Sequence, residues 1–95
     1  MAKKYTQAVR AKYTLMKISL FGSYAKGNCH KDSDIDVAVI LKDYSNLIDI
    51  RLDLMRLRRK IDSRIEPHLF REKDFDISNP LVYEIVKYGV EVGSG

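Results

Sequence analysis

The spacing of apolar positions changes several times along this chain, and each change marks an element. Tyr5, Val9 and Tyr13 recur four residues apart in a polar opening, which predicts a short amphipathic helix between Met1 and Thr14 that covers one face of a sheet. Leu15 to Phe21 then reads as a strand ending at Gly22-Ser23, and Ser23 to Gly27 as a short helix stopped by Gly27 and Asn28. Asp34 to Leu41 has strand length and many β-branched residues. Beyond Asp36 it is apolar on both faces, Val37, Val39 and Leu41 against Ala38 and Ile40. Such a strand sits in mid-sheet with both faces covered.

After a turn over Lys42 to Ser45, Asn46 with Asp49 three residues on reads as a helix N-cap, and the helix runs to about Asp62. Leu47, Ile50, Leu54, Leu57 and Ile61 form one apolar stripe, and Ile48, Leu52 and Met55 form a second, nearly opposite one. One stripe is expected to meet the sheet. The other is expected to meet the N- or C-terminal helix or a partner, a second copy included. Arg64 to Phe70 reads as the next strand, with Glu66 and His68 on one face and Ile65, Pro67 and Leu69 on the other. Pro67 cannot donate to a ladder, so at least one side of this strand is unpaired or bulged there. Arg71 to Ile77 is expected to be irregular. Ser78 or Asn79 caps a helix with Pro80 at its first position, Gly89 stops it, and Val90 to Val92 can add a short edge strand before a loose Gly93 to Gly95.

Composition narrows the class. Ninety-five residues, 45% of them hydrophobic, suit one small domain with one core. The mean hydropathy is -0.28, and no apolar run approaches membrane-spanning length. Lys3 and Lys4 are not followed by the apolar stretch of a secretory signal. Cys29 is the sole cysteine, which excludes an internal disulfide framework and fits a reducing cytoplasm; beside His30 it is too sparse for zinc and reads as a solvent-side pair. The net charge of +4 is compatible with an anionic partner without requiring one. The run Arg56, Arg58, Arg59, Lys60 reads as a solvated helix face, with contact to nucleic acid or an acidic partner as the less favoured alternative.

Candidate chemistry gathers between Phe21 and Leu41. Asp34 and Asp36 are two apart on a predicted strand, so their carboxylates point the same way, roughly 6–7 Å apart. Like charges at that spacing need a cation between them. Hard carboxylate oxygens suit Mg²⁺, which binds one or two carboxylates plus substrate phosphates. Gly22 lets a phosphate come close, and Ser23 offers a hydroxyl and a backbone N–H at a turn. Phosphates at Gly22-Ser23 and a metal at Asp34 and Asp36 are the two halves of a nucleoside triphosphate site. Asp32-Ser33-Asp34-Ile35-Asp36 also copies the start of an EF-hand loop, but Val37 stands where that loop needs glycine, which excludes it.

Gly-Ser, ten residues, then Asp-x-Asp resembles the nucleotidyltransferases of the DNA polymerase β superfamily, and Ile18 to Val92 is similar to their smallest members, the minimal nucleotidyltransferases. The resemblance implies an α/β (α+β) fold, a small mixed sheet flanked by helices, with two Mg²⁺ ions and an NTP donor, ATP for protein adenylylation. It implies a third acid on a later strand, for which Glu66 is the candidate, completing a metal's coordination or accepting the proton from an attacking hydroxyl, and Asp62 the fallback. Lys26 either reaches the triphosphate or is solvated, and His68 either lines the site or is a half-buried strand residue. A domain this small is expected to lack a pocket for a small acceptor, so part of the site should come from another chain. Minimal nucleotidyltransferases are often antitoxins paired with HEPN-domain ribonuclease toxins, so the resemblance implies such a toxin as partner and protein acceptor. Two alternatives stay open: a binding module that neutralises by contact, and nucleotidyl transfer to RNA or a small molecule.

Overall fold

The central strand is set by its own composition. Ile35–Leu41 (β2) is buried at every position except Asp36, so both of its faces need cover. The structure, a computed structural model, describes residues 2–22, 27 and 34–92. In chain order the elements are α1 (Ala2–Lys12), β1 (Leu15–Phe21), β2, α2 (Leu47–Ile61), β3 (Ile65–Arg71), α3 (Pro80–Tyr88) and β4 (Val90–Glu91). The sheet order is β3-β2-β1-β4; β1 runs antiparallel to β2 and β4, and β3 runs parallel to β2, so the sheet is mixed. A parallel neighbour requires a crossover, and α2 supplies it.

Each face of the sheet has its own apolar cluster. On one, Ile35, Val37, Val39 and Leu41 pack with Ile18, Ile65, Tyr5, Val9 and Leu54 beneath α1 and α2. On the other, Phe21, Ala38 and Ile40 pack with Ile85, flanked by Phe70, Phe75 and Leu81, beneath α3. The caps form as their residue types require. Asn46 Oδ1 accepts from the Asp49 N–H at 3.2 Å while Asn46 Nδ2 donates to Asp49 Oδ2 at 2.8 Å. Asn79 caps α3 by accepting from the Leu81 N–H at 2.9 Å, with Pro80 in the first turn. Gly89 does close α3, but in extended backbone; a Cβ there would run into the Ile85 carbonyl and sit 3.1 Å from the Leu20 carbonyl, so close approach is what demands glycine.

Several expectations shift. β3 covers Ile65–Arg71 and is followed by a 3-10 turn over Glu72–Asp74, where an irregular segment was expected from Arg71. The extension follows from Arg71, whose guanidinium lies 4.4 Å from the Tyr44 ring and donates to the Tyr44 carbonyl. Arg58 is not on the solvated face: its Nη1 donates to the carbonyls of Ser63 and Ile65 at 3.1 and 3.0 Å. β3 is an edge strand. The Arg64 carbonyl accepts from the Ile35 N–H at 2.8 Å, which turns alternate backbone groups from Ile65 onward to the open side. There Arg58 occupies the Ile65 carbonyl and Pro67 has no N–H, so the edge is blunted against further pairing.

Of the two stripes on α2, Ile50, Leu54, Leu57 and Ile61 pack on the core, whereas Leu47 is 42% exposed. Ile48 and Leu52 of the second stripe are 70% and 52% exposed, so neither α1 nor α3 covers them. Met55 is half-buried and lines a shallow cavity with Arg51, Leu54, Glu66, Pro67 and Leu69. Polar contacts join α1 to α2: the buried Tyr5 hydroxyl donates to the Leu54 carbonyl at 3.0 Å, and the Tyr13 hydroxyl donates to Asp53 Oδ2 at 2.5 Å, with Lys12 Nζ 3.1 Å from Asp53 Oδ1. Burial, then the bond to Asp53, pushes Tyr13 from 10.0 up to about 12. The Tyr13 hydroxyl, then Lys12, holds Asp53 below the usual carboxylate range. Among the described residues no helix is long and apolar enough to cross a membrane.

Two predictions follow from these contacts. Tyr13→Phe is expected to cost about 1–2 kcal/mol in urea denaturation near neutral pH, the low end for a bond to a charged group because the pair is partly exposed. Asp53 is depressed, so its share of that difference fades as pH falls through the carboxylate range; Tyr13 is raised, so its share fades as pH climbs past 10.0 toward 12. Leu52→Glu is expected to change stability by no more than about 0.5 kcal/mol, against about 2–5 kcal/mol for Leu54→Ala. If the second stripe is a docking face, native mass spectrometry will show Leu52→Glu losing a self- or partner complex that the wild type forms.

Candidate active site

Strand register brings the two halves of the expected site together. Phe21 pairs with Asp36, so the turn after β1 and the first rungs of β2 share one end of the sheet. Gly22 has φ +74, a left-handed conformation that side chains disfavour. A Cβ on it would stand 2.5 Å from Asp36 Oδ2. Glycine is favoured by the backbone angle, and an added side chain would also oblige the Asp36 carboxylate to move.

The other Asp36 oxygen, Oδ1, is 3.2 Å from His68 Nε2. Both side chains are partly exposed, His68 at 29% and Asp36 at 27%, so the pair sits at the mouth of the sheet. The His68 ring also meets Phe21 edge-on, centroids 5.0 Å apart at 63°. In the parallel ladder Glu66 is in register with Asp36 and His68 with Ala38. Glu66 thus lies one strand across from Asp36 on the same face. It is exposed and, among the described residues, carries no hydrogen bond or ion pair. Asp34 is exposed too, just ahead of the first ladder residue, Ile35. Asp62, the fallback acid, caps α2, and both of its oxygens are engaged by Arg64 at 2.8 to 3.1 Å. Arg64 holds the Asp62 carboxyl down at about 2. Ser23, Lys26 and the expected helix from Ser23, together with Cys29 and His30, lie outside the described residues.

The donor chemistry fits Mg²⁺. Asp34 and Asp36 are hard oxygen donors, and no Lys or Arg among the described residues pairs with either. The described residues contain no group of three or more His, Cys, Asp and Glu side chains that could hold a metal, so Asp34, Asp36 and Glu66 are not gathered as a three-ligand set. Two carboxylates suffice for an ion that keeps several waters and completes its shell with substrate phosphates. His68 is the residue whose place sequence reasoning left open. It is both half-buried and in contact with Asp36. The available signal was its alternation with Glu66; the register that puts it beside Asp36 depends on how β3 pairs.

Solved structures that share this mixed α/β fold, a four-stranded mixed sheet with three helices, are polymerase β-like nucleotidyltransferases. The chain belongs to the nucleotidyltransferase domain family, which matches residues 2–91. It is 32% identical over 81 residues to a Methanocaldococcus jannaschii protein provisionally named a protein adenylyltransferase, covering 82% of this chain and 79% of that one. In a crystal structure of a toxin–antitoxin pair with AMP-PNP, one chain matches with a TM-score of 0.74 and 30% identity, over 97% of this chain and 72% of that chain. The complex of a tri-AMPylated Shewanella oneidensis HEPN toxin with its MNT antitoxin contains a chain matching at TM-score 0.66 and 26% identity, over 97% of this chain and 68% of that chain.

Gly22→Ala and Gly27→Ala separate the two demands on Gly22. Gly27 has φ +77 but, among the described residues, nothing within 4 Å of an added Cβ. Both variants are expected to lose about 1–2 kcal/mol in thermal unfolding from the backbone penalty. Only Gly22→Ala is expected to move the Asp36 carboxylate, read as a shift of its side-chain carbon NMR signal, because only there does the new methyl meet Asp36.

Proposed function

We propose that the chain transfers the AMP moiety of ATP to a hydroxyl of a HEPN-domain toxin and, as its antitoxin, neutralises it. The observation that carries this reading is the Asp36 carboxylate seated against the bare backbone of Gly22. It juxtaposes a cation-seeking group with the place where phosphates can approach most closely. The relatives support the choice of nucleotide and acceptor: one is provisionally named a protein adenylyltransferase, and another forms a complex with an AMPylated HEPN toxin.

In the reaction, the acceptor oxygen attacks the α-phosphorus of ATP. The new O–P bond forms as the bond from the α-phosphorus to the bridging oxygen breaks, and pyrophosphate leaves. Gly22, with Ser23, gives the β- and γ-phosphates room and backbone contact at the turn, and Lys26 adds positive charge. Asp34 and Asp36 would hold Mg²⁺, two ions in all, which would neutralise phosphate charge when bound. Glu66, exposed and one strand across from Asp36, takes the acceptor's proton. Holding acceptor and phosphate in line supplies much of the acceleration. The rigidity of a buried central strand is what fixes Asp36 for that task.

The assay is incubation with Mg²⁺, α-labelled ATP, a HEPN toxin and RNA. Label is expected on the toxin, with loss of its ribonuclease activity. Asp34→Asn and Asp36→Asn are expected to lower labelling by at least roughly 10²–10³-fold while circular dichroism stays that of the folded protein. Label on RNA alone, or inhibition with no label, would replace the proposal with one of the alternatives.

A further inference from the structure

We infer that His68 is a positioning residue for Asp36: its Nε2–H holds Oδ1 so that the carboxylate keeps one orientation against the Gly22 turn. The inference rests on the nucleotidyl-transfer reading of the same site. Asp36 is bounded on two sides. The Gly22 backbone lies close to Oδ2, where an added Cβ would be only 2.5 Å away, and His68 Nε2 stands 3.2 Å from Oδ1. His68 is itself restrained. It lies on β3 in register with Ala38, and its ring is edge-on to Phe21 at 5.0 Å. Phe21 is buried in the cluster beneath α3 and immediately precedes Gly22. One aromatic residue therefore buttresses the histidine while its neighbour in sequence bounds the other carboxylate oxygen.

This geometry separates His68 from Glu66 in role. Glu66 faces an open position, whereas His68 reaches Asp36. A carboxylate on a strand retains rotation about its last bond unless something fixes it. Partners that orient metal-binding carboxylates typically matter by about 10- to 100-fold in metal affinity or activity. A single N–H at Nε2 suffices for this contact.

The test compares His68→Ala and His68→Gln, the latter retaining an N–H donor. Calorimetry with Mn²⁺ and AMP-PNP is expected to show metal affinity reduced about 10- to 100-fold in His68→Ala and largely restored in His68→Gln. In turnover, kcat should fall with KM for ATP little changed. Nitrogen NMR of the wild-type imidazole, with no metal or substrate present, is expected to show the Nε2–H tautomer, and Asp36→Asn should perturb that nitrogen. Equal metal affinity in wild type and His68→Ala overturns the inference, as does an Nδ1–H tautomer. Failure of the wild type to transfer nucleotide would instead count against the proposed function, while the tautomer and metal binding still decide the place of His68. Folding of both variants is checked by the near-ultraviolet circular dichroism of the buried aromatics.

Discussion

Asp36 Oδ2 occupies the volume that any side chain at position 22 would need, and the arrangement of the site depends on that exclusion. Because β1 and β2 are antiparallel with Phe21 opposite Asp36, the glycine turn and the acid belong to adjacent strands at one end of the sheet. A shift of that register by one residue would carry Asp36 to the opposite face, among the residues beneath α1 and α2. Asp36 itself opposes the slip, since its carboxylate would be carried into the buried layer, whereas the rest of β2 is apolar on both faces. Packing of the core and placement of the acid are thus one constraint seen from two sides.

The layers around β2 explain why the site is rigid where it needs to be and open where it must be. α1 and α2 cover one face and α3 the other. Tyr5 and Tyr13 hold α1 on α2 through Leu54 and Asp53. Burial of β2 stops at its first turn, where Asp36 is 27% exposed at the side chain and Asp34 is exposed. Charge is kept at the rim, where hydration limits the penalty of holding carboxylates.

Local chemistry made much of this legible in advance. Apolar runs of strand length identified β1 and β2, the Asn46–Asp49 pair and Asn79-Pro80 announced the helix starts, and residue type alone singled out Gly22 and Asp36, which the register brings together. What escaped were properties of pairing and reach. Arg58 sits in a basic run whose other members face solvent, and only the crossover from α2 to β3 brings carbonyls within reach of its long side chain. His68 alternates with Glu66, but no local pattern fixes the register that sets it next to Asp36. Gly89 satisfies the rule for a helix stop for a different reason, close approach to two carbonyls in extended backbone. The second apolar stripe of α2 was correctly seen as a stripe, yet whether it faced another helix or solvent depended on where α1 and α3 docked.

The most direct measurement of the central claim is a crystal structure of the wild type grown with Mn²⁺ and AMP-PNP, with the metal located by its anomalous signal. The account predicts manganese bound by carboxylate oxygens of Asp34 and Asp36 and the triphosphate lying over the backbone at Gly22. A metal bound elsewhere, or a nucleotide that avoids the Gly22 turn, would contradict it.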